Sequence, residues 1–373
     1  MKDYLHEREN IRFVFPLDGD CVNEGDGFYR DGKLYIWVKV FAPYYGADIC
    51  VNGVRAVFNG EYHVARVPIQ RGRFRLTAID DSNGESDTVY AFNLPNAQKK
   101  FRLSVDDNIR FLQDITENQD AYASIFDNPY LRVYKRAHDE TGVCVNLHLF
   151  YFSEDGSFSL DMVTDKFKAE WEANADWLRL SFHSLREMPA SPYTGEAYAE
   201  IPADCEKVHR EILRFAGEKS LAKTTTLHFG ATDIRGVRAL KACGYDALGA
   251  FFEPDGNGGS SVSYSYPLPL VEHLRTRDFW VDGEEGVTFF KIDRVLNFAP
   301  TAKENLRFVE EIANSPTQGG FVELMIHEQY FYEDYPLYIA EFEEIILQAC
   351  RYLKARGYEG SFIREACAWE ETP

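Results

Sequence analysis

Along the first hundred residues apolar and polar positions alternate in short runs. Leu34, Ile36, Val38 and Val40 are separated by Tyr35, Trp37 and Lys39. A period of two gives a strand with one face inward and one outward. Phe74, Leu76 and Ala78 repeat the pattern, and Thr88 to Phe92 is a further strand. Between them Val51-Asn-Gly-Val54 has the Asn-Gly turn of a hairpin, and Asp80 to Ser86 is a turn cluster. Short strands with frequent turns predict an all-β, immunoglobulin-like sandwich over residues 1–97. Leu94-Pro-Asn-Ala-Gln-Lys-Lys100 marks the boundary.

From residue 98 to 373 the pattern changes to strands alternating with helices. Phe101–Val105, Val143–Phe150, Trp177–Phe182, Thr224–Leu227, Ala247–Phe252, Val287–Ile292 and Phe321–Ile326 are apolar runs of strand length. Helical periods fall over 129–141, 165–174, 203–215, 233–243, 304–314 and 338–356, and Gly142, Gly244 and Gly357 close three of them. This alternation predicts an α/β domain, a distorted (β/α) barrel of about seven or eight units. A doubly wound sheet is the rival, but no Gly-x-Gly-x-x-Gly follows the first strand.

Strand ends carry the candidate chemistry. Asp106 and Asp107, His183, His228, Glu253, Asp293 and His327 each follow a strand. In a barrel those ends meet on one face. Asp106-Asp107 offers one carboxylate for a metal and one for a bound water, or merely an acidic turn before a helix. His183 and Glu187 stand four apart and share a face if that segment is helical. His327 is placed to protonate a leaving group. His148 lies inside its strand and reads as structural.

Three segments, Leu-Ser-Val-Asp106-Asp107, Leu-Ser-Phe-His183-Ser184 and Leu-Met-Ile-His327, resemble in order the first, second and last motifs of the NodB-like polysaccharide deacetylases (carbohydrate esterase family four). The resemblance covers roughly residues 101–360. It implies a distorted barrel and a divalent metal, zinc above all with manganese or magnesium as alternatives, for hydrolysis of an N-acetyl or O-acetyl group. It makes Asp106 the general base, Asp107 and His183 metal ligands, and His327 the general acid. Where that family usually has a second histidine this chain has Glu187. Where it has an Arg-x-Pro motif this chain has Leu-His228-Phe-Gly-Ala-Thr-Asp233. Glu187 is preferred as third ligand because its spacing needs no new backbone geometry. His228 is the competitor, with Asp293 and Glu253 in reserve.

Composition narrows the partners. The net charge is −20 and no long Lys/Arg run offsets it, which argues against nucleic acid and anionic membrane. An aromatic share of 15% suits sugar stacking, although most rings belong in a core. The seven cysteines form no Cys-x-x-Cys pair, so neither a disulfide framework nor a thiolate zinc site is expected. Met1 to Asn10 has no apolar core like that of a secretory leader, which predicts a cytoplasmic protein. The resulting expectation is a metal-dependent carbohydrate deacetylase. Its alternatives are an inactive carbohydrate-binding barrel and a metal-independent glycosidase using a carboxylate pair such as Glu253 and Glu323.

Overall fold

The computed structural model describes residues 10–367. The chain is a mixed α/β protein with four sheets. Two of them, of five strands each, lie within residues 12–93. The strand Lys33–Phe41 is central to one and pairs antiparallel with His63–Ile69. Leu34, Ile36, Val38 and Val40 are all buried, as the alternation requires, and Trp37 between them is exposed. Gly72–Asp80 and Ser86–Asn93 pair antiparallel in the other sheet. The Asn-Gly turn is present, with Asn52 and Gly53 both at positive φ and Val51 facing Val54. The inward side chains of both sheets form one apolar cluster.

After residue 100 strands and helices alternate, and hydrogen bonding divides the strands into two sheets. The larger places Leu178–Ser184, Cys144–Phe150, Lys100–Asn108, Phe321–His327 and Arg294–Val295 side by side, with Glu359–Gly360 against Lys100–Asn108. The smaller runs Thr224–Thr225, Ala247–Ala250, Val287–Lys291, Phe279–Asp282. All pairings are parallel except the last, where Phe279–Asp282 runs antiparallel to Val287–Lys291. That strand and the helix Leu268–Leu274 have no counterpart in the sequence pattern, whereas the helix Arg110–Glu117 is the one an acidic turn at Asp106-Asp107 would precede. Between the sheets, Ala222 donates its N–H to the Leu180 carbonyl at 2.8 Å, and Asp293 donates to the Glu323 carbonyl at 3.0 Å. The helix Pro129–Thr141 begins on the Asn128 side chain and ends on Gly142 at φ +77°, as its signals demand.

The unforeseen strand ties the two regions together. Trp280 donates its indole N–H to the Asp18 carbonyl at 2.8 Å. Gly19, at φ +87°, packs so closely there that a Cβ would lie 2.1 Å from the Val281 oxygen. Beside it Arg277 grips Asp26 with two bonds of 2.7 and 2.6 Å, both side chains buried. Phe92 and Leu94 join Phe279, Phe290 and Phe321 in a shared apolar cluster.

Candidate active site

Neighbouring residues of a strand ordinarily point to opposite faces. Asp106 and Asp107 escape this rule because Asp107 has φ +65°. Its left-handed backbone swings the second carboxylate toward the first, and both line one cavity of about 480 Å³. Glu328 holds the turn that follows. Its buried carboxylate accepts the N–H groups of Ile109, Arg110 and Phe111 at 2.6, 2.9 and 2.6 Å, capping the Arg110–Glu117 helix. Gln329, the next residue, donates to Asp107 Oδ2 at 2.9 Å. One short segment after His327 therefore fixes both the turn and one oxygen of Asp107.

The other Asp107 oxygen has a different environment. Oδ1 lies 3.1 Å from His183 Nε2 and 3.5 Å from His228 Nδ1, and those two ring nitrogens are 3.0 Å apart. Both rings have already committed their far nitrogens to main-chain carbonyls. His183 Nδ1 donates to Thr226 at 2.6 Å, and His228 Nε2 donates to Glu187 at 3.1 Å. Neutral rings so held aim two lone pairs and a carboxylate oxygen at a single point, an arrangement that requires a positive charge. Bonds of about 2.0–2.1 Å to a tetrahedral ion imply ligand separations of roughly 3.3–3.4 Å. The three atoms fit such an ion.

A second group, Asp106 with His148 and His183, also lies close together. There His148 Nδ1 and Asp106 Oδ1 are 2.6 Å apart, a hydrogen bond rather than an edge of a coordination shell. Asp106 Oδ2 is 3.9 Å from His183 Nε2, beside the three-atom cluster.

Electrostatics agree with a site made for a cation. Burial opposes charge on both aspartates. The histidines around them outweigh it, so Asp106 is held below the usual carboxylate range and Asp107 well below it. Burial pulls His183 down, but the charge of Asp106 and the hydrogen bond and charge of Asp107 push it up to about 9. His228 is lowered, chiefly by burial. A proton on His183 Nε2, offered to His228 Nδ1 and Asp107 Oδ1, thus occupies the point where an ion fits.

The remaining candidates separate. His327 lines the cavity and donates Nδ1–H to Asn297 Oδ1 at 2.8 Å, which leaves Nε2 as its other nitrogen. Glu187 and Glu253 line the cavity as well. The Glu187 carboxylate is outside the three-atom cluster; burial and the Asp107 charge raise it to about 7. Asp293 is elsewhere, accepting from Lys291 Nζ at 2.9 Å and from the Glu323 N–H. Glu323 is fully buried against Arg102, so it shares no cavity with Glu253 and the two cannot form a glycosidase pair. Phe229 and Phe298 stand exposed on the cavity lining. No pattern in the chain marks Gln329 or Asn297; both roles follow from contacts only.

No family model and no curated protein matches this chain. Solved structures that resemble it include the 4-α-glucanotransferase of Thermococcus litoralis, at 14% identity and a TM-score of 0.45, over 74% of this chain and 41% of that one. The chain therefore spans less than half of the glucanotransferase. A peptidoglycan N-acetylglucosamine deacetylase is 11% identical with a TM-score of 0.39, over 72% of this chain and 88% of that one. A deacetylase solved with substrate is 10% identical with a TM-score of 0.37, over 73% and 92%. Among the described residues no helix is long and apolar enough to cross a membrane.

Proposed function

We propose that this chain is a metal-dependent hydrolase that removes acetyl groups from a carbohydrate. The observation that carries the reading is the convergence of Asp107 Oδ1, His183 Nε2 and His228 Nδ1, with both rings pinned from behind by carbonyls. On this reading His228 replaces Glu187 as third ligand. Two imidazoles and one carboxylate favour zinc over the manganese or magnesium that a Glu187 shell would tolerate. The two sheets after residue 100 are read as halves of a distorted (β/α) barrel, and residues 1–97 as a separate sandwich without site residues.

A bound divalent ion supplies Lewis acidity, polarising an acyl carbonyl and acidifying a water. The chain's own groups handle the protons. Asp106 Oδ2, on the cluster side of its carboxylate, accepts the water proton. His327, oriented by Asn297, gives a proton from Nε2 to the departing amine or alkoxide. Phe229 and Phe298 offer ring faces to a sugar. The carbohydrate assignment rests on the motif resemblance at Asp106-Asp107, His183-Ser184 and His327 together with these rings.

The test has two parts. Purified protein loaded with zinc should hold about one ion per chain by elemental analysis. It should release acetate from acetylated chitin oligomers or acetylated xylan. Zinc bound without acetate release from any acetylated glycan would instead support an inactive carbohydrate-binding barrel.

A further inference from the structure

We propose that His148 is a positioning residue for Asp106, selecting which carboxylate oxygen faces the reacting water; this rests on the hydrolase reading above. His148 sits in the middle of Cys144–Phe150, a strand buried along its whole length. Val105 is in register with Leu147 and Asn108 with Leu149, so a bulge sets Asp106 and Asp107 together against His148 on the neighbouring strand. The ring is fully buried and is not part of the cavity lining, so it touches no substrate. Its hydrogen bond to the site is the 2.6 Å bond from Nδ1 to Asp106 Oδ1, and its ring stacks 6.1 Å from that of His183.

That bond has a specific consequence. The torsion that turns a carboxylate is soft, so an aspartate beside an ion can present either oxygen, or swing one onto the ion. A donor fixed in a buried strand removes this freedom. Oδ1 is occupied, and Oδ2 is left on the side of His183, 3.9 Å from Nε2. Asp106 is thereby kept as a proton acceptor while Asp107, with Gln329 on its own Oδ2, is kept as a ligand. Two adjacent acids receive different tasks from two different donors. Orientation errors of about 1 Å at a reacting group cost on the order of 100-fold in rate.

The experiment compares three substitutions in the full-length, zinc-loaded protein. His148→Asn keeps an N–H near the Nδ1 position. His148→Leu removes the donor and keeps much of the volume. His148→Gln keeps polarity but moves the N–H toward the Nε2 position. The Leu and Gln variants should lose about 30- to 100-fold in kcat, with KM and zinc affinity within a few-fold of the parent. The Asn variant should recover to within about fivefold. An equal loss in all three would make His148 a packing residue and overturn the proposal. Loss of zinc from the Leu variant, restored by neither amide, would make it a ligand and overturn it too. Should the parent protein release no acetate, the hydrolase reading fails separately. The Asp106 torsion in a crystal structure of the Leu or Gln variant then decides: a rotated carboxylate supports positioning, an unmoved one refutes it.

Discussion

The strands Lys100–Asn108 and Phe321–His327 carry buried charge at both ends, and the two ends behave differently. Near their starts Arg102 faces Glu323 in register, with no exposure on either side chain. Nε donates to Oε2 at 2.9 Å and Nη2 to Oε1 at 2.8 Å. Four residues on, Asp106 faces His327 across the same pair of strands. Here two acids and three histidines crowd together, and one acid oxygen and two ring nitrogens point at each other. The first arrangement is closed on its carboxylate: both Glu323 oxygens have a donor and the charges cancel within a fork of matched shape, although Arg102 Nη1 has no acceptor. The second turns three acceptor atoms on one point, which either a proton on His183 or a cation can fill. Burial alone does not distinguish a structural charge from a functional one; whether the lone pairs have donors does.

Breaking the closed end should cost the most stability. Arg102→Met leaves Glu323 charged and alone, and should destabilise the fold by about 3–5 kcal/mol in urea melts. Adding Glu323→Leu should recover most of that loss, and a double variant no better than the single would mean the pair is not self-contained. Breaking the open end should remove the ion at a smaller cost to the metal-free fold. Asp107→Asn and His228→Ala should each weaken zinc binding by more than about 100-fold in a competition titration, since even outer partners of ligands are worth about 10–100-fold.

The junction between the regions comes next. Gly19→Ala drives a Cβ against the Val281 oxygen and should cost about 1–3 kcal/mol, with zinc affinity unchanged. If zinc affinity fell with it, the site would depend on how the first hundred residues dock.

The proton on His183 gives a pH signature. Its folded pKa is raised, to about 9. In the metal-free protein the stabilisation it brings is complete below its ordinary pKa of about 6.5 and fades as pH rises toward 9. Zinc must displace that proton, so apparent affinity should climb through the same interval and level off near 9. An affinity flat from pH 6.5 to 9 would place the proton elsewhere. The smallest effect belongs to Glu187→Gln. Its main-chain carbonyl holds His228, and its side chain is outside the cluster, so zinc affinity should change by less than about fivefold.

Much of this is legible in the sequence. The outward and inward positions of Lys33–Phe41, the Asn52-Gly53 turn and the place of Asp106, His183 and His327 within the last three residues of their strands follow from local pattern. The third atom of the cluster did not. The preference for Glu187 assumed a helix after His183, but the strand continues to Ser184 and residues 185–190 form bends with no helix. Without helical periodicity a four-residue spacing places nothing on a common face, and His228 enters from the next strand instead. Asp293 misled for a related reason: its strand ends where expected, yet its carboxylate is taken by Lys291 and the Glu323 N–H. Phe279–Asp282 is too short for a periodic signal, and its antiparallel direction depends on a partner chosen in three dimensions. His148 looked structural because a strand-interior histidine usually is, and only its neighbour's identity changes that.

The two carbonyls behind the histidines have a consequence for how the site tolerates genetic change. Thr226 and Glu187 orient His183 and His228 through backbone oxygens, which every amino acid carries. The half-buried position 187 can therefore change its side chain while the tautomers stay as they are, provided the main chain keeps its path, whereas Thr226 is buried beside Gly249. A lineage could rework the rim of the cavity for a new ligand without disturbing how the rings present their nitrogens. Specificity and ion capture would then be inherited as separable traits.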